Sequence, residues 1–376
     1  MISIIIPVIR DDGVERCIKA IVEHGGNTVY EIITKRDENR IGCPKMVREL
    51  VKKARYDWVM FLGDDTIPQE GFLDKAIEKM ADLHDGWGMI GLNDQHQDGN
   101  KVATHWLCHK KVLELTDGDF FHVGYNHLWC DNELTDIAKE NGRYVWAEEA
   151  LIEHDNPIVN GSEQDADFLA IYDRKKNVSD HKLYLKRKEE RIGHLLGIGF
   201  PITDEMVHTY FFYSLMLMDL PSYNLYFPKQ YYHPSNLPKC RNDMVRNALE
   251  DNCTHLLMMD TDQVYHDNDL VRNLLAHKLD IVGAKVHRRW PPFEPIANIW
   301  SEEDGKASHV DDEIINAGGL VKCDATGTGC IMIRTSVFLD IDAPWFSFEY
   351  DDNENITMGE DISFCRKAGK AGYDIY

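Results

Sequence analysis

A repeat constrains the fold of this chain more than any other feature. An apolar run ending Phe61-Leu62-Gly63-Asp64-Asp65 has a second copy in Leu256-Leu257-Met258-Met259-Asp260-Thr261-Asp262. Each reads as a buried strand that stops at a pair of carboxylates. Asp65 and Asp262 stand 197 positions apart. Downstream, Phe72, Leu73, Ala76 and Ile77 match Leu270, Val271, Leu274 and Leu275 at an offset of 198, and upstream Met46-Val47 match Met244-Val245 at the same offset. Later, Asp131 precedes Gly142 by 11 residues as Asp361 precedes Gly372, and Leu134 and Ala138 match Phe364 and Ala368 at an offset of 230. Ordered matches of strand, carboxylates, helix and a later acidic helix start point to one α/β unit built twice.

The first copy shows the pattern most clearly. Ser3–Val8, Val29–Thr34 and Asp57–Leu62 read as strands rich in β-branched and apolar residues. Between and after them, Val14 to Val22, Met46 to Ala54 and Phe72 to Met80 carry apolar residues at helical spacing, and Gly25-Gly26 stops the first of these helices. Strands alternating with such helices predict a mostly parallel sheet covered on both faces. At 376 residues two domains are expected. Residues 158–199 break the pattern with turn signals and a charged helical stretch, so domains over 1–157 and 200–376 joined by a largely helical linker are predicted. Lys182 to Arg191 is basic but also holds Glu189 and Glu190, which reads as a solvated helix face.

Composition removes several classes. A net charge of −23 argues against duplex DNA binding, which rests on Lys and Arg contacts to phosphate. Nine dispersed cysteines without a CxxC pair suggest neither a zinc site nor a disulfide framework, and they fit a reducing, cytoplasmic setting. Met1–Val8 is too short for a signal segment, and no run approaches the ~18 apolar residues of a transmembrane helix. The four N-x-S/T sequons, at Asn160, Asn177, Asn252 and Asn355, read as chance matches.

The chemistry lies at the strand ends, where α/β sheets present ligand groups. Asp-Asp after a strand can be a turn or a helix cap. Its repetition favours a divalent cation, Mn²⁺ or Mg²⁺, shared with a diphosphate. Asp131 begins a helix that ends at Asn141-Gly142. It can be a cap, or a general base facing the same sheet end. His154 follows the strand Tyr144–Ile152; a lone histidine is more often a surface or core residue than a ligand, and as a ligand its tautomer would be fixed by Asp155.

These segments resemble tandem glycosyltransferase domains of the GT-A fold (the Rossmann-like nucleotide-diphospho-sugar transferase fold), similar to the inverting enzymes of family 2. Nearly the whole chain outside the linker is covered. Ser3-Ile4-Ile5-Ile6-Pro7-Val8 matches the opening strand, whose end at Pro7 and Val8 would border the nucleotide base. Phe61 to Asp65 matches the DXD region, which implies Asp65 as metal ligand and Asp64 near ribose or diphosphate. Cys130-Asp131 stands in the place of the ED motif, making Asp131 the base, and His154 sits where a histidine completes the metal site. In the second copy the resemblance runs through Arg241-Asn242, Asp260-Thr261-Asp262, Gly327-Thr328-Gly329-Cys330 and Gly359-Glu360-Asp361. It implies nucleotide contacts from Arg241, Asn242 and Asp260, a metal ligand in Asp262, and catalysis by Asp361 with Glu360. Trp106, Trp129, Gly329, Trp345 and Phe346 are expected to face the acceptor; for Trp345 and Phe346, a place among core aromatics is the equal alternative.

Two departures stand out. The histidine equivalent to His154 would fall at about residue 383 by internal comparison. The second domain is thus expected to be cut short at its C-terminus or to lack that ligand. Where the family often has Asp-Asp after the second strand, this chain has Lys35-Arg36-Asp37. Arg36, Asp37 and Lys45 are the expected contacts to base or diphosphate, with a UDP-sugar as the expected donor. The resemblance implies a bifunctional, metal-dependent inverting transferase acting on a glycan or glycoconjugate. The alternatives are a single active domain beside a glycan-binding or structural one, a sugar-phosphate nucleotidyltransferase, and a non-catalytic carbohydrate-binding protein. Arg10-Asp11-Asp12-Gly13 is acidic where a nucleotidyltransferase usually has a basic glycine-rich loop.

Overall fold

The structure, a computed structural model, describes residues 1–155, 157, 166–202, 207–228, 236–287, 291, 293–300 and 307–376. The chain divides into two compact units, Met1–Tyr184 and Leu185–Tyr376. The first holds β1 (Ile2–Val8), β2 (Tyr30–Arg36), β3 (Trp58–Phe61), β4 (Thr66–Pro68), β5 (Met89–Asn93), β6 (Trp106–His109) and β7 (Tyr144–His154) in one sheet, ordered β2-β1-β3-β6-β5-β7-β4. Among the described residues the helices α1 (Asp11–His24), α2 (Cys43–Val51), α3 (Phe72–Glu78) and α4 (Cys130–Glu140) accompany it, followed by Ala166–Ile171 and the start of Arg174–Ile192.

The continuous apolar run of β1 is buried on both faces, as expected of a central parallel strand. Cys17, Ala20 and Ile21 turn the inner stripe of α1 to the core, and Asp11 and Asp12 complement the positive end of its dipole. The helix ends where the Gly25 N–H reaches the Ile21 carbonyl. Met60, Leu62, Phe72, Leu73, Ile90 and Leu107 share one hydrophobic cluster with β1.

The sheet is mixed rather than mostly parallel. β2, β1 and β3 run parallel, as do β5 and β7, but β6 is antiparallel to both β3 and β5, and β4 to β7. The connection from β5 to β6 has no crossover helix, so the chain returns antiparallel.

The second unit contains β8 (Leu195–Gly199), β9 (Ser222–Tyr226), β10 (His255–Met259), β11 (Ile281–Gly283), β12 (Ala297–Trp300), β13 (Ala307–His309), β14 (Ala325–Thr326), β15 (Cys330–Arg334), β16 (Glu349–Tyr350) and β17 (Ile356–Met358). Its main sheet is ordered β11-β15-β10-β8-β9. That order and its strand directions reproduce β5-β6-β3-β1-β2 of the first unit. The chain after the helix Glu360–Lys370 reaches β11 through Gly283 N–H to Tyr376 O at 2.7 Å, as the chain after α4 reaches β5 through Met89 N–H to Arg143 O at 2.8 Å. The repeat read from residue offsets is therefore a repeat of topology.

The expected linker 158–199 divides between the units. The helix Arg174–Ile192 crosses the boundary between Tyr184 and Leu185, and Leu195–Gly199 is β8, an inner strand of the second sheet. The apolar character of Leu195–Gly199 outweighs the charged stretch before it. Asn156, residues 158–165 and the Asn160 sequon lie outside the described residues. Among the described residues no helix is long and apolar enough to cross a membrane.

Candidate active site

The first unit gathers its polar side chains at the C-terminal ends of β1 and β3. Asp64 is buried, and its Oδ2 accepts the backbone N–H groups of Ile9 at 2.6 Å and Arg10 at 2.7 Å. The carboxylate thus ties the turn after β3 to the end of β1. Arg10 Nη1 lies 3.5 Å from Asp64 Oδ1 and 3.3 Å from Asp65 Oδ2.

His154 reaches Asp65 through sheet pairing across a long sequence separation. β4 and β7 are antiparallel with Thr66 opposite His154, and the Asp155 N–H donates to the Asp65 carbonyl at 2.8 Å. His154 Nε2 stands 3.6 Å from Asp65 Oδ1 and its Nδ1 3.8 Å from Asp94 Oδ2. Asp155 does not orient His154; its carboxylate pairs with Arg16 at 2.8 Å, and Asp94 faces the ring instead. A register shift between Leu92 and Asn93 in the β5–β7 pairing places Asp94 there. His105 packs edge-on against His154, ring centroids 5.0 Å apart. Donor atoms of Asp94, His105 and His154 all lie within 4.8 Å of one another.

The charge states follow from these contacts. Burial alone would raise Asp65, but His154, His105 and Arg10 outweigh it and hold the carboxyl down to about 2. Asp94 is likewise held low against burial, by His154, Gln97 and Thr104. Burial opposes the imidazolium of His154, yet Asp65 and Asp94 push it up to about 9. His105, buried and next to His154, is pushed down to about 4 and is neutral.

The residues fit a divalent cation. Two ionised carboxylates and two imidazoles converge, and His154 Nδ1 is buried with no hydrogen-bond partner among the described residues. A Cβ at Gly63 would fall 2.6 Å from Asp65 Oδ1 and 3.3 Å from His105 Nε2, so the glycine keeps a gap beside both donors. Mixed oxygen and imidazole donors suit Mn²⁺ better than Mg²⁺, which prefers oxygen and water. Binding must displace the proton of His154. Mn²⁺ affinity is accordingly expected to fall as pH drops below the value of about 9 at which His154 titrates. Calorimetric titration across pH 6–9 in buffers of different ionisation heat should show proton release; pH-independent affinity would remove His154 from the donor set.

Asp131 lies in the first turn of α4. Burial raises its carboxyl to about 6, while the Asn132 N–H donates to its Oδ1 at 3.0 Å. One cavity is lined by Pro7, Arg10, Asp37, Asp64, Asp65, His105, His127, Asp131 and His154. A second hollow, lined by His96, Gln97, Trp129, Asn132, Tyr172 and Asn177, shares Asp131 and His154 with it. The base candidate therefore borders two spaces.

A helix within the predicted linker helps to build this wall. Asp180, on Arg174–Ile192, is buried and accepts the N–H groups of Asn126 at 2.8 Å, His127 at 2.9 Å and Leu128 at 3.0 Å. Trp129 donates its indole N–H to Asn177 Oδ1 at 2.9 Å and stacks on His181 at 3.7 Å. Asp180→Ala would strand three backbone donors. A loss of about 2–5 kcal/mol in urea unfolding is expected, with a smaller loss for Asp180→Asn. Equal stability of both variants and the parent would contradict this anchoring.

Other sequence-predicted residues stand elsewhere. Val8 is buried in the hydrophobic core, Arg36 is exposed and pairs with Asp11, and Lys45 is exposed on α2, which turns Cys43 and Met46 toward the cavity instead. Asp37 lines the cavity with its two oxygens held by Ile41 N–H at 2.8 Å and Gly42 N–H at 2.9 Å. Trp106 is a core residue, fully buried against Phe61, Phe120 and Phe121, because β6 lies between β3 and β5. Arg10, Asp94, His105 and His127 were not among the residues expected from sequence. Asp94 carries the same signal as Asp64, a carboxylate ending an apolar strand; His105 and His127 carry none.

The second unit repeats the base but not its surroundings. Asp361 opens the helix Glu360–Lys370, accepts the Ile362 N–H at 2.7 Å, and is raised to about 6 by burial and by Glu360. Where the offsets of 198 and 230 place Cys43 and Cys130 in the first unit, the second has Arg241 and Glu360. Arg241 is buried, 3.2 Å from Glu360 Oε1 and 3.2 Å from Asp260 Oδ1, so Glu360 and Asp260 are engaged by a protein cation. Asp262 is exposed. Asn242 bonds the backbone of Trp345 and Phe346 through both ends of its amide, which makes it a brace for that segment. Trp345 and Phe346 are buried in the core, where Trp345 donates to the Phe338 and Ile341 carbonyls and Phe346 stacks on Phe364. Gly329 is also buried, its carbonyl accepting from Asp260 N–H and the Tyr265 hydroxyl. These three residues therefore stand in the core rather than against an acceptor.

No family model and no curated protein matches the chain. Among solved structures it is similar to A197 from STIV (13% identity over 46% of this chain and 78% of that one, TM-score 0.31). It is also similar to S. aureus TarS 1–349 (12% identity, 50% and 65%, TM-score 0.37) and to TarS 1–349 in complex with UDP-GlcNAc (12% identity, 67% and 84%, TM-score 0.34).

Proposed function

We propose that the chain is a metal-dependent inverting glycosyltransferase of the GT-A type, with tandem domains related to family 2 and the first unit as its principal catalyst. The observation that carries this is the shared wall. Asp131, a carboxylate raised to about 6, borders both the cavity holding the Asp64–Asp65–His154 cluster and the hollow beside Trp129.

A nucleotide-diphosphate sugar, by expectation a UDP-sugar, would occupy the first space, with Pro7 and Asp37 toward the base. The acceptor hydroxyl of a glycan or glycoconjugate would enter from the second. Mn²⁺ or Mg²⁺ held by Asp65, His154, His105 and Asp94 would neutralise charge on the diphosphate leaving group. Asp131 would take the acceptor proton as the oxygen attacks the anomeric carbon from the face opposite the diphosphate, which inverts that centre. Arg10 adds a fixed positive charge beside the same carboxylates.

A second reading keeps one catalytic unit, and the Arg241–Glu360–Asp260 network favours it. If both units transfer sugar, the second must do so around that arginine. A nucleotide-sugar panel with Mn²⁺, scored by released nucleoside diphosphate, tests both readings on the parent, Asp65→Asn and Asp262→Asn. Loss only in Asp65→Asn favours a single catalytic unit; separate losses for separate donors or acceptors favour two. Production of a nucleotide sugar from a nucleoside triphosphate would instead identify a nucleotidyltransferase.

A further inference from the structure

We propose a second metal site, at the opposite end of the second unit's sheet, in which Glu189, His194 and His255 bind a transition-metal ion of the zinc type. One nitrogen of each histidine and one carboxylate oxygen of Glu189 lie within 4.8 Å of one another. The topology assembles them: His194 precedes β8, His255 opens β10, and β8 and β10 are parallel neighbours with His255 opposite Leu196. Glu189 comes from the last turns of Arg174–Ile192. The length of β10 separates His255 from Asp260 by about 16 Å at strand rise, so the cluster is distinct from the carboxylate pair.

Hydrogen bonding fixes which nitrogen His255 offers. Thr254 Oγ1 donates to the Leu195 carbonyl at 3.0 Å and accepts the Leu195 N–H at 3.0 Å. Its single proton is thus used, and at 3.0 Å from His255 Nδ1 it can only accept. His255 therefore carries its proton on Nδ1 and presents the Nε2 lone pair, the second-shell arrangement usual for a metal-bound histidine.

His194 Nδ1 is buried without a hydrogen-bond partner among the described residues, 3.2 Å from Glu189 Oε1. About a third of that side chain is exposed, which gives an ion a route in. Arg334 binds the other oxygen of Glu189 and lies 3.3 Å from Asp280, so it orients the carboxylate while its own charge is balanced. Two imidazoles and one carboxylate, with water in the fourth position, match zinc preferences and not those of Mg²⁺ or Ca²⁺. The ion would join the end of the helix to the starts of two adjacent strands.

The test uses the full chain carrying Asp65→Asn and His154→Ala, which disables the first unit's cluster. After chelator treatment it is titrated with Zn²⁺ and, separately, with Co²⁺ as a spectroscopic probe. One equivalent is expected, with visible Co²⁺ bands of a nitrogen- and oxygen-ligated ion. Affinity should fall more than about tenfold in His194→Ala and in His255→Gln. Retention of no ion, or binding that survives both substitutions, would overturn the proposal. If His255→Gln fails to fold, the partly exposed His194→Ala carries the test, with circular dichroism confirming its fold.

Discussion

Asp131→Asn is expected to lower sugar transfer by about 10²–10⁴-fold, the span typical of losing a positioned general base. The comparison belongs in an Asp361→Asn background, so that only the first unit contributes. Nucleotide binding should persist, because Asp131 adjoins the acceptor side and its amide replacement keeps shape while losing basicity. The parent's pH profile supplies the second half of the test. A carboxyl raised to about 6 is protonated below that pH and cannot accept a proton. With Mn²⁺ kept saturating at every pH, its kcat/KM should therefore be flat above pH 6 and fall about tenfold per pH unit below it, a limb that disappears in the variant. Full turnover by Asp131→Asn, or an unchanged acid limb, would remove Asp131 from the chemistry.

Gly63→Ala should damage the metal centre without removing any donor. The new methyl would fall 2.6 Å from Asp65 Oδ1, a distance that requires the carboxylate to move. Mn²⁺ affinity, read by electron paramagnetic resonance of the unbound ion, is expected to drop about 10–100-fold, in the range for losing ligand orientation. Asp65→Asn should lose at least as much, because its carboxylate is held down to about 2 and is fully ionised at neutral pH. Wild-type affinity in Gly63→Ala would mean that the ion sits elsewhere, with Asp94 alone supplying its carboxylate.

The parts of the site that were legible in sequence are those carried by local pattern. Asp64, Asp65, Asp260 and Asp262 end apolar strands, and Asp131 and Asp361 open amphipathic helices. Each signal spans fewer than about ten residues and depends on strand or helix periodicity. His154 was legible only through the family resemblance, since a lone histidine after a strand carries little signal. His105 was not, because the antiparallel return of β6 brings it in and no periodicity announces that return. Asp180 falls in the stretch predicted as a charged helical linker, but its carboxylate is buried beneath the loop that precedes Asp131. Trp106 shows the converse error, and Trp345 and Phe346 take the core place that was their equal alternative. Aromatic residues near motif positions look available in sequence, while strand order and packing decide whether they are covered.

The sequence by itself determined that one α/β unit occurs twice and that each copy brings carboxylates to its strand ends, since these follow from residue order and apolar spacing. Only the tertiary structure decided which groups meet there. The β4–β7 pairing sets His154 against Asp65, a register shift brings in Asp94, and the second unit places Arg241 against Asp260 and Glu360. Burial then assigns their charges, because desolvation and neighbouring ions act through distance in space, which the order of residues does not encode.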